Sequence, residues 1–359
     1  MPPAQLKRVL NAEWPAQWLR SFHKFDVSPI AAASIGQVHR AQLKDGRDLA
    51  IKVQYPGVAK SIDSDVANVG VLMRMSGLLP KGFELASYLE EGRKQLHEET
   101  NYTREATQLV RFGDLLADRP QFVVPEMHGD WSTPNILAMT YVGGVPIESV
   151  AEETQEIRDQ IATDLIDLTI HELFSFGVMQ TDPNFANYLY QLDSQRIALL
   201  DFGATHEISP PIVQSYRKLM LAGFSDDNVA LEETIEGLGF IDENTKDSQR
   251  QQVVHMVKLV FDALQNNRYL DFADTKLATH LQDAAMALAK DGFLPPPLPI
   301  DVLLVQRKFG GMFLLAAKLA ARVDVVSLLA DHLRETALHN ETNRSCQTNE
   351  NTHQTAGTA

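Results

Sequence analysis

The sequence predicts a two-lobed α+β fold, and three observations support this prediction. The chain has 359 residues, enough to bury the cores of two lobes. Short apolar runs bounded by turn residues, which are typical of strands, are concentrated before residue 144. Beyond that point apolar residues recur mainly at helical spacing. We therefore expect a small lobe over residues 25–143, with an antiparallel sheet and inserted helices, and a mainly helical large lobe over residues 144–336.

The two ends of the chain differ from these lobes in composition. Residues 1–24 predict one or two amphipathic helices, with tryptophans that either pack on the protein or lie at a membrane surface. We favour packing of Trp14 and Trp18 against the small lobe. Residues 337–359 are rich in Asn, Thr and Gln and almost without apolar side chains, so we expect a disordered tail.

The first strands of the small lobe are predicted to flank a loop of small residues at positions 30–39. Asp45 and Gly46 then supply a hairpin turn before the strand Leu49–Val53. Period-two alternation places Lys52 on the face opposite to the large apolar residues of that strand. A lysine on an inward face is costly unless it is paired, and phosphate or a carboxylate would pair with it. A solvent-exposed lysine on an edge strand is the alternative.

A glutamate that could pair with this lysine lies on a predicted helix, Gln95–Gly113. Glu105 shares one side of that helix with Tyr102 and Ala106, so it could face Lys52. Glu98 and Glu99 lie on the same predicted helix, but surface carboxylates are usually solvated, so Glu105 is the preferred partner.

The rest of the small lobe contains further helices and strands. Residues 59–95 have helical periodicity, interrupted at Gly77 and again at Pro80–Gly82, and predict an insertion. Val123–Pro125 and Ile136–Met139 predict the later strands.

The large lobe begins with a predicted helix, Ile157–Phe176, and is helical beyond Pro210. Near its end, Val302–Leu329 predicts a long apolar helix. We expect this helix to pack in the lobe's core, with contact to lipid or quinone as the alternative.

Two polar side chains flank a predicted hairpin between these helices. Tyr188–Tyr190 and Arg196–Leu200 predict paired strands, joined by turn residues at 192–195. Asn187 precedes the first strand, and Asp201 follows the second. Oxygen ligands at the base of one hairpin suit Mg²⁺, which takes one or two protein carboxylates besides phosphate oxygens.

A third polar residue completes a pattern with these two. Asp182 lies five positions before Asn187, and Asp201 opens an Asp-Phe-Gly tripeptide. This spacing is typical of a kinase catalytic loop followed by a magnesium-binding aspartate. Phosphoryl transfer requires metal ligands beside a nucleotide and one carboxylate that positions or deprotonates the nucleophile. Asp-Phe-Gly alone is a common turn, so the prediction of a protein-kinase-like fold depends on the complete set.

Five segments of this kind occur in order along the chain. They are Ala31–Ser34, Ala50–Val58, Glu99–Ala106, Gln180–Asn187 and Asp201–Thr205. With them the chain resembles the UbiB family of atypical protein-kinase-like ATPases, which support coenzyme Q (ubiquinone) biosynthesis. The resemblance extends over roughly residues 25–336 and is strongest to the eukaryotic mitochondrial branch.

The resemblance implies ATP and Mg²⁺ as cofactors and a role for each motif residue. Asp182 would be the catalytic aspartate, with Glu105 paired to Lys52 and with Asn187 and Asp201 as metal ligands. The nucleotide-binding residues it implies are Ala31, Ala32, Ala33, Ser34, Lys52, Met139, Thr140, Tyr141 and Val142, of which the last four would form the adenine-binding hinge.

Alanine in place of glycine over the phosphates limits backbone conformations with positive φ. The segment should therefore lie differently over the phosphates and disfavour ordinary phosphorylation of proteins. The resemblance itself implies an ATPase that acts on the ubiquinone-biosynthesis complex, in contact with that complex and with lipid. A protein kinase that phosphorylates a subunit and an inactive nucleotide-binding scaffold remain the alternatives.

Three departures from the family pattern bear on these expectations. The family carries a Lys-x-Gly-Gln motif upstream of the alanine segment, and this chain has no counterpart. A truncated chain, a mis-assigned start and a genuine short form are the alternatives. The second carboxylate of the family's Glu-x-Asp motif is replaced by Asn101, and the hinge glutamate by Thr140.

Composition excludes several classes of function. The net charge of −15 argues against a nucleic-acid partner, which requires a basic surface. A single cysteine, Cys346, excludes an intramolecular disulfide. The chain contains no apolar run long enough for a transmembrane helix. From the resemblance we expect a mitochondrial protein peripheral to the inner membrane, whose targeting segment is absent from this chain.

Overall fold

The computed structural model describes residues 1–33, 35–76, 85–225, 227–330 and 332–333. These residues divide into two compact units, and the chain enters the first unit twice. The first unit comprises Met1–Glu152 and Gln180–His206. The second comprises Glu153–Met179 and the described residues from Glu207 onward. The predicted tail at 337–359 and the predicted interruption at Gly77 and Pro80–Gly82 lie outside the described residues.

The described residues form both helices and strands, as an α+β fold requires. The helices are α1 (Pro3–Glu13), α2 (Val58–Met75), α3 (Leu85–Glu99), α4 (Tyr102–Leu115), α5 (Gln155–His171), α6 (Pro210–Ser225), α7 (Asn228–Gly237), α8 (Asp247–Asn266), α9 (Lys276–Lys290) and α10 (Ile300–Lys318). The strands are β1 (Phe22–Phe25), β2 (Ala31–Ala33), β3 (Gly36–Leu43), β4 (Asp48–Gln54), β5 (Phe122–Val123), β6 (Ile136–Thr140), β7 (Val145–Pro146), β8 (Val178–Gln180), β9 (Tyr188–Gln191), β10 (Arg196–Leu199), β11 (Thr205–Glu207), β12 (Leu270–Asp271) and β13 (Arg322–Val323).

The first unit is built on a five-stranded antiparallel sheet, with order β1-β3-β4-β6 and with β2 also paired to β3. The predicted hairpin turn between β3 and β4 is confirmed, and Gly46 there adopts φ 97°. The predicted alternation of β4 is confirmed as well. Leu49, Ile51 and Val53 are fully buried in one hydrophobic core, while Lys52 makes its contacts outside that core.

The N-terminal segment covers this apolar face of the sheet. Trp14, Trp18 and Phe22 are buried in the same core as the apolar residues of β4. Nε1 of Trp14 donates a hydrogen bond to the carbonyl of Trp131 at 3.0 Å, which satisfies the polar end of the ring. Packing of the tryptophans on the protein is therefore confirmed. The expectation of helix up to residue 24 was wrong, because β1 begins at Phe22 and pairs with β3.

A four-stranded sheet also lies in the first unit, with order β5-β10-β9-β7. β9 and β10 form the predicted hairpin, with Tyr188 opposite Leu199. β10 also pairs with β5 in parallel orientation. This pairing joins residues 180–206 to the unit that contains the first sheet.

Three elements differ from the sequence-based expectation. The predicted helix Gln95–Gly113 is divided into α3 and α4, because the side chain of Asn101 accepts the N–H of Arg104 and begins a new helix. The predicted loop at 30–39 contains strand β2 and the beginning of strand β3. The predicted helix Val302–Leu329 ends at Lys318, and Ala320 then adopts φ 47° before β13.

The second unit is mainly helical, formed by α5–α10 with a small pair of strands, β12 and β13. α10 supplies much of its core, and Val302, Val305 and Leu315 are almost completely buried. Core packing of α10 is thus confirmed. Across the described part of the chain, no helix combines the length and apolarity that crossing a bilayer requires.

The aromatic packing of the N-terminal segment yields a stability prediction. Trp14→Ala should destabilise the protein by about 3–5 kcal/mol, because it leaves a cavity among Trp18, Phe22 and Trp131. Urea unfolding monitored by circular dichroism would measure the loss. Leu19→Ala, at a side chain that is 55% exposed, is the control and should change stability little. Equal stabilities for the two variants would contradict the packing role.

Candidate nucleotide-binding site

The site is centred on Lys52, whose row in the sheet crosses four strands. Val38 of β3 and Leu137 of β6 are its paired neighbours on either side. Ala31 of β2 in turn pairs with Val38. The alanine strand therefore lies two strands away from Lys52, in the same row of the same sheet.

Two carboxylates hold the lysine ammonium. Nζ of Lys52 lies 2.8 Å from Oε1 and 3.0 Å from Oε2 of Glu105, and 2.8 Å from Oδ2 of Asp201. The lysine and glutamate side chains are only 7% and 2% exposed, whereas Asp201 is 31% exposed. The partner predicted for Lys52 is therefore in place, and a second carboxylate that the sequence did not assign to it also contacts it.

The three charges shift one another's protonation. Burial alone would lower the pKa of Lys52, but Glu105 and then Asp201 outweigh it and raise the pKa. Burial raises the pKa of Glu105 to about 7 against the opposing effect of Lys52, and Asp201 adds to the rise. The pKa of Asp201 is lowered: burial opposes this, but Lys52 and the Gly203 N–H overcome it. Because two carboxylates share one ammonium, Asp201 stays ionised and Glu105 is the first to take up a proton.

The turn that carries Asp201 is fixed from several sides. The Gly203 N–H donates to Oδ1 of Asp201 at 2.9 Å. Phe202 is buried against Phe112 of α4, with ring centroids 5.0 Å apart. The guanidinium of Arg104 donates to the carbonyl of Gly203 at 2.8 Å and also to that of Thr205. α4 therefore positions Asp201 through one ring contact and one arginine.

Asp182 and Asn187 also lie together, on the segment that leads into β9. Nδ2 of Asn187 donates to Oδ2 of Asp182 at 3.0 Å. The backbone carbonyl of Asn187 accepts the N–H of Leu200 at 3.0 Å. Since Leu200 directly precedes Asp201, the hairpin brings the three predicted catalytic and metal-binding residues into one region of the first unit.

The alanine segment is a largely exposed strand that leads to a tightly packed glycine. Ala31, Ala32 and Ala33 form β2, and Ser34 lies outside the described residues. At Gly36, where β3 begins, an added Cβ would lie 2.4 Å from the carbonyl oxygen of Val53. Only glycine fits this approach of β3 to β4. Nothing in the sequence pattern had identified this glycine as necessary.

The predicted hinge residues continue from β6. Met139 pairs with the β4 residue two positions before Lys52. The N–H groups of Thr140 and Tyr141 each donate to a backbone carbonyl of the same unit at 2.8 Å. Val142 follows directly, outside the strand.

The sequence analysis did not assign a role to two further residues of the site. Arg104 anchors the turn after Asp201, and it also lies 3.4 Å from Glu98 in an ion pair. Tyr102 is buried, with its ring 5.4 Å from Nζ of Lys52. Both stand in the same motif as Glu105, so the eight-residue segment Glu99–Ala106 was the signal that could have identified them.

The arrangement has the chemistry of a site for a phosphorylated ligand and a divalent cation. One ammonium is present for phosphate oxygens. Two carboxylates, Asp182 and Asp201, and the amide of Asn187 are present for a hard cation, which prefers oxygen ligands. The described residues here include no thiolate, and the donor set therefore suits Mg²⁺ better than a soft metal.

Comparison with known proteins agrees with this geometry. Residues 1–235 match the profile of the ABC1 atypical kinase-like domain. The mitochondrial atypical kinase COQ8 of Saccharomyces cerevisiae is 35% identical over 333 residues, which cover 92% of this chain and 66% of the yeast protein. The rat mitochondrial atypical kinase COQ8B is 35% identical, over 92% of this chain and 62% of the rat protein. The mitochondrial atypical kinase coq-8 of Caenorhabditis elegans is 34% identical, over 90% and 43%. The chain thus spans about two thirds or less of these relatives.

A solved structure shares the fold. Rv3197 of Mycobacterium tuberculosis, determined in complex with erythromycin, is similar with a TM-score of 0.71 and 25% identity. The similarity covers 92% of this chain and 82% of that protein. Together with the profile match, it confirms the predicted α+β, protein-kinase-like fold.

The raised pKa of Glu105 predicts a pH-dependent stability. Its folded-state pKa of about 7 exceeds the ordinary 4.5, so between these values the native state retains a proton that the unfolded chain has lost. This contribution is complete below pH 4.5 and disappears as the pH rises through 7. Between pH 4.5 and 7, the unfolding free energy of the wild type should therefore fall by about 1.4 kcal/mol for each unit by which the pH rises, relative to that of Glu105→Gln.

Urea unfolding of both proteins at pH 5, 6 and 7 would measure this difference. Glu152→Gln, at an exposed carboxylate, is the control and should follow the wild type. A constant difference between wild type and Glu105→Gln over the three pH values would contradict the assignment.

Proposed function

The chain belongs to the family of ABC1 atypical kinase-like domains, and from that premise we propose that it binds Mg²⁺–ATP at Lys52 and hydrolyses it. The observation that carries this proposal is the double contact of Nζ of Lys52 with Glu105 and Asp201, both at 2.8 Å. A lysine buried in a sheet and oriented by a helix glutamate is the arrangement that kinases use to hold ATP phosphates.

The side chains offer a consistent set of cation ligands. Asn187 uses its Nδ2 to donate to Asp182, so its amide oxygen is the atom for a metal. Asp201 is more exposed than Glu105, and it is therefore the carboxylate that an incoming cation reaches. When bound, Mg²⁺ supplies positive charge that neutralises the phosphate oxygens. Asn187 and Asp201 would hold it.

The remaining residues have distinct roles in hydrolysis. Lys52 binds phosphate oxygens, and Glu105 keeps its ammonium in position. Asp182 accepts a hydrogen bond from the attacking water and orients it toward the terminal phosphorus. The new bond joins the water oxygen to that phosphorus while the bond to the bridging oxygen breaks, and the water proton passes to Asp182 or to the released phosphate.

Adenine recognition is proposed at the end of β6. The N–H groups of Thr140 and Tyr141 already donate within the protein, so the backbone N–H of Val142 is the proposed donor to the base. Met139 would contact the ring through its side chain. Ala31, Ala32 and Ala33 would lie along the phosphates, and a contact of Ser34 with the nucleotide remains a prediction of the resemblance.

The biological role we propose is support of ubiquinone biosynthesis in mitochondria, peripheral to the inner membrane and in association with the biosynthetic enzymes. The names of the relatives, mitochondrial atypical kinases COQ8, COQ8B and coq-8, support it. So does a cavity of about 650 Å³ in the second unit, whose lining is mostly apolar, including Leu173, Met220, Phe261 and Met312. A cavity of this size and lining suits a lipid or isoprenoid chain.

The metal assignment gives a prediction for Asp201→Asn. Loss of one metal-bound charge should lower Mg²⁺-dependent ATP hydrolysis by roughly 100-fold or more, because the cation's stabilisation of transferring phosphate is worth several kcal/mol. Phosphate release by the purified chain would measure it. Asp193→Asn, in the exposed turn between β9 and β10, is the matched control and should retain full turnover.

Two outcomes would count against this proposal. Undiminished hydrolysis by the Asp201 variant would overturn the metal assignment. Nucleotide binding without turnover in the wild type would favour the alternative of an inactive scaffold.

The alanine strand gives a prediction that separates ATPase from protein kinase. Ala32 is exposed on β2, so Ala32→Gly should loosen this strand with little effect on packing. The gain in backbone freedom corresponds to about 0.5–1 kcal/mol. We therefore expect the ratio of phosphate transfer to an added protein over transfer to water to rise about two- to five-fold. Labelled ATP with a purified complex subunit would measure both. An unchanged ratio would show that the alanine strand does not select the acceptor.

A further inference from the structure

A group of metal-ligating side chains lies in the second unit, on elements that the proposed ATP site does not use. One carboxylate oxygen of Asp167 and one nitrogen each from His171 and His332 lie within 4.8 Å of one another. Asp167 and His171 are one helical turn apart on α5, and His332 comes from the end of the described chain. We propose that these three residues bind a divalent transition-metal ion of the zinc class.

The spacing of Asp167 and His171 on α5 favours binding of both side chains to one metal ion. Residues four apart lie on the same helical face, and Oδ1 of Asp167 is already 3.3 Å from Nδ1 of His171. Tetrahedral coordination with bonds of about 2.0–2.1 Å places ligand atoms about 3.3 Å apart. The two side chains on α5 are thus close together before any ion binds, and one ligand atom from each of the three residues already lies within 4.8 Å of the others. Side-chain rotations would have to bring these atoms to the tetrahedral separation.

The imidazoles are held by contacts that commonly orient metal ligands. Nδ1 of His171 lies 2.9 Å from the backbone carbonyl of Asp167. Nδ1 of His332 lies 3.3 Å from the hydroxyl of Ser175, and the two rings meet edge to face at 4.3 Å. A hydrogen bond to one ring nitrogen determines which nitrogen an imidazole presents to a metal.

The surroundings combine burial with access. The His332 side chain is buried, whereas His171 and Asp167 are 22% and 21% exposed and Ser175 is exposed. Ser175 belongs to a π-helical turn, Glu172–Phe176, that directly follows His171. Such turns are frequent at functional sites. An ion can therefore reach the cluster from solvent, and two imidazoles with one carboxylate leave a coordination position for water.

The ligand types indicate which ion fits. Imidazole suits zinc, iron, copper and nickel, whereas Mg²⁺ prefers carboxylates, carbonyls and water. The cluster therefore selects a different metal from the oxygen ligands around Asp201. A bound ion would connect α5 to residues 332–333 and stabilise the second unit.

Zinc binding by the full chain tests the proposal. Competition with a chromophoric chelator, in excess Mg²⁺ so that oxygen sites are occupied, should give one equivalent of tightly bound Zn²⁺ for the wild type. Asp167→Asn, His171→Gln and His332→Gln should each lose that equivalent. Ser175→Ala should keep it with roughly 10–100-fold weaker affinity.

His280→Ala, at an exposed histidine of α9, is the matched control and should keep wild-type binding. Cobalt absorption provides a second measurement, since Co²⁺ in the wild type should show ligand-field bands that the three ligand variants lack. Zn²⁺ should also raise the melting temperature of the wild type and not that of His332→Gln. Equal stoichiometry in the wild type and all three ligand variants, or binding lost equally in the His280 control, would overturn the proposal.

Discussion

The buried contact of one ammonium with two carboxylates constrains most of the first unit. Lys52 comes from β4, Glu105 from α4 and Asp201 from the turn after β10. These three elements must therefore lie at fixed positions before the charges can neutralise one another. Removing one partner of a buried pair costs about 3–5 kcal/mol, because an uncompensated charge remains in a poorly solvated place. The contacts among these three charges therefore also constrain how β4, α4 and the β9–β10 hairpin pack together.

Much of this arrangement could be predicted from local sequence pattern. Strict alternation along β4 separated Lys52 from Leu49, Ile51 and Val53, and helical spacing placed Glu105 beside Tyr102; all of these positions are confirmed. The resemblance to UbiB proteins is confirmed too. Periodicity works at these positions because one face of each element is buried, which makes the pattern strong. The assigned catalytic roles of Asp182, Asn187 and Asp201 remain predictions.

The failures have a common physical origin in interactions that periodicity does not record. The division between α3 and α4 depends on one side-chain cap at Asn101, which a helical pattern running through it conceals. The strand at Ala31–Ala33 depends on pairing with β3, because alanine has little strand preference of its own. Residues 180–206 join the first unit through the pairing of β10 with β5 and of β9 with β7. The first of these pairings joins segments more than 70 residues apart and has no local signature.

The unequal protonation of the two carboxylates explains how a single site can be both a stable packing element and a ligand site. Around Lys52 the charges sum to one excess negative charge when both carboxylates are ionised. Burial makes Glu105 the carboxylate that is protonated more easily, and its pKa rises to about 7. The more exposed Asp201 keeps a lowered pKa. A cation that binds Asp201 would remove the excess, because it neutralises the carboxylate that repels Glu105. The same charge imbalance that limits the stability of the ligand-free fold therefore favours a divalent cation at Asp201.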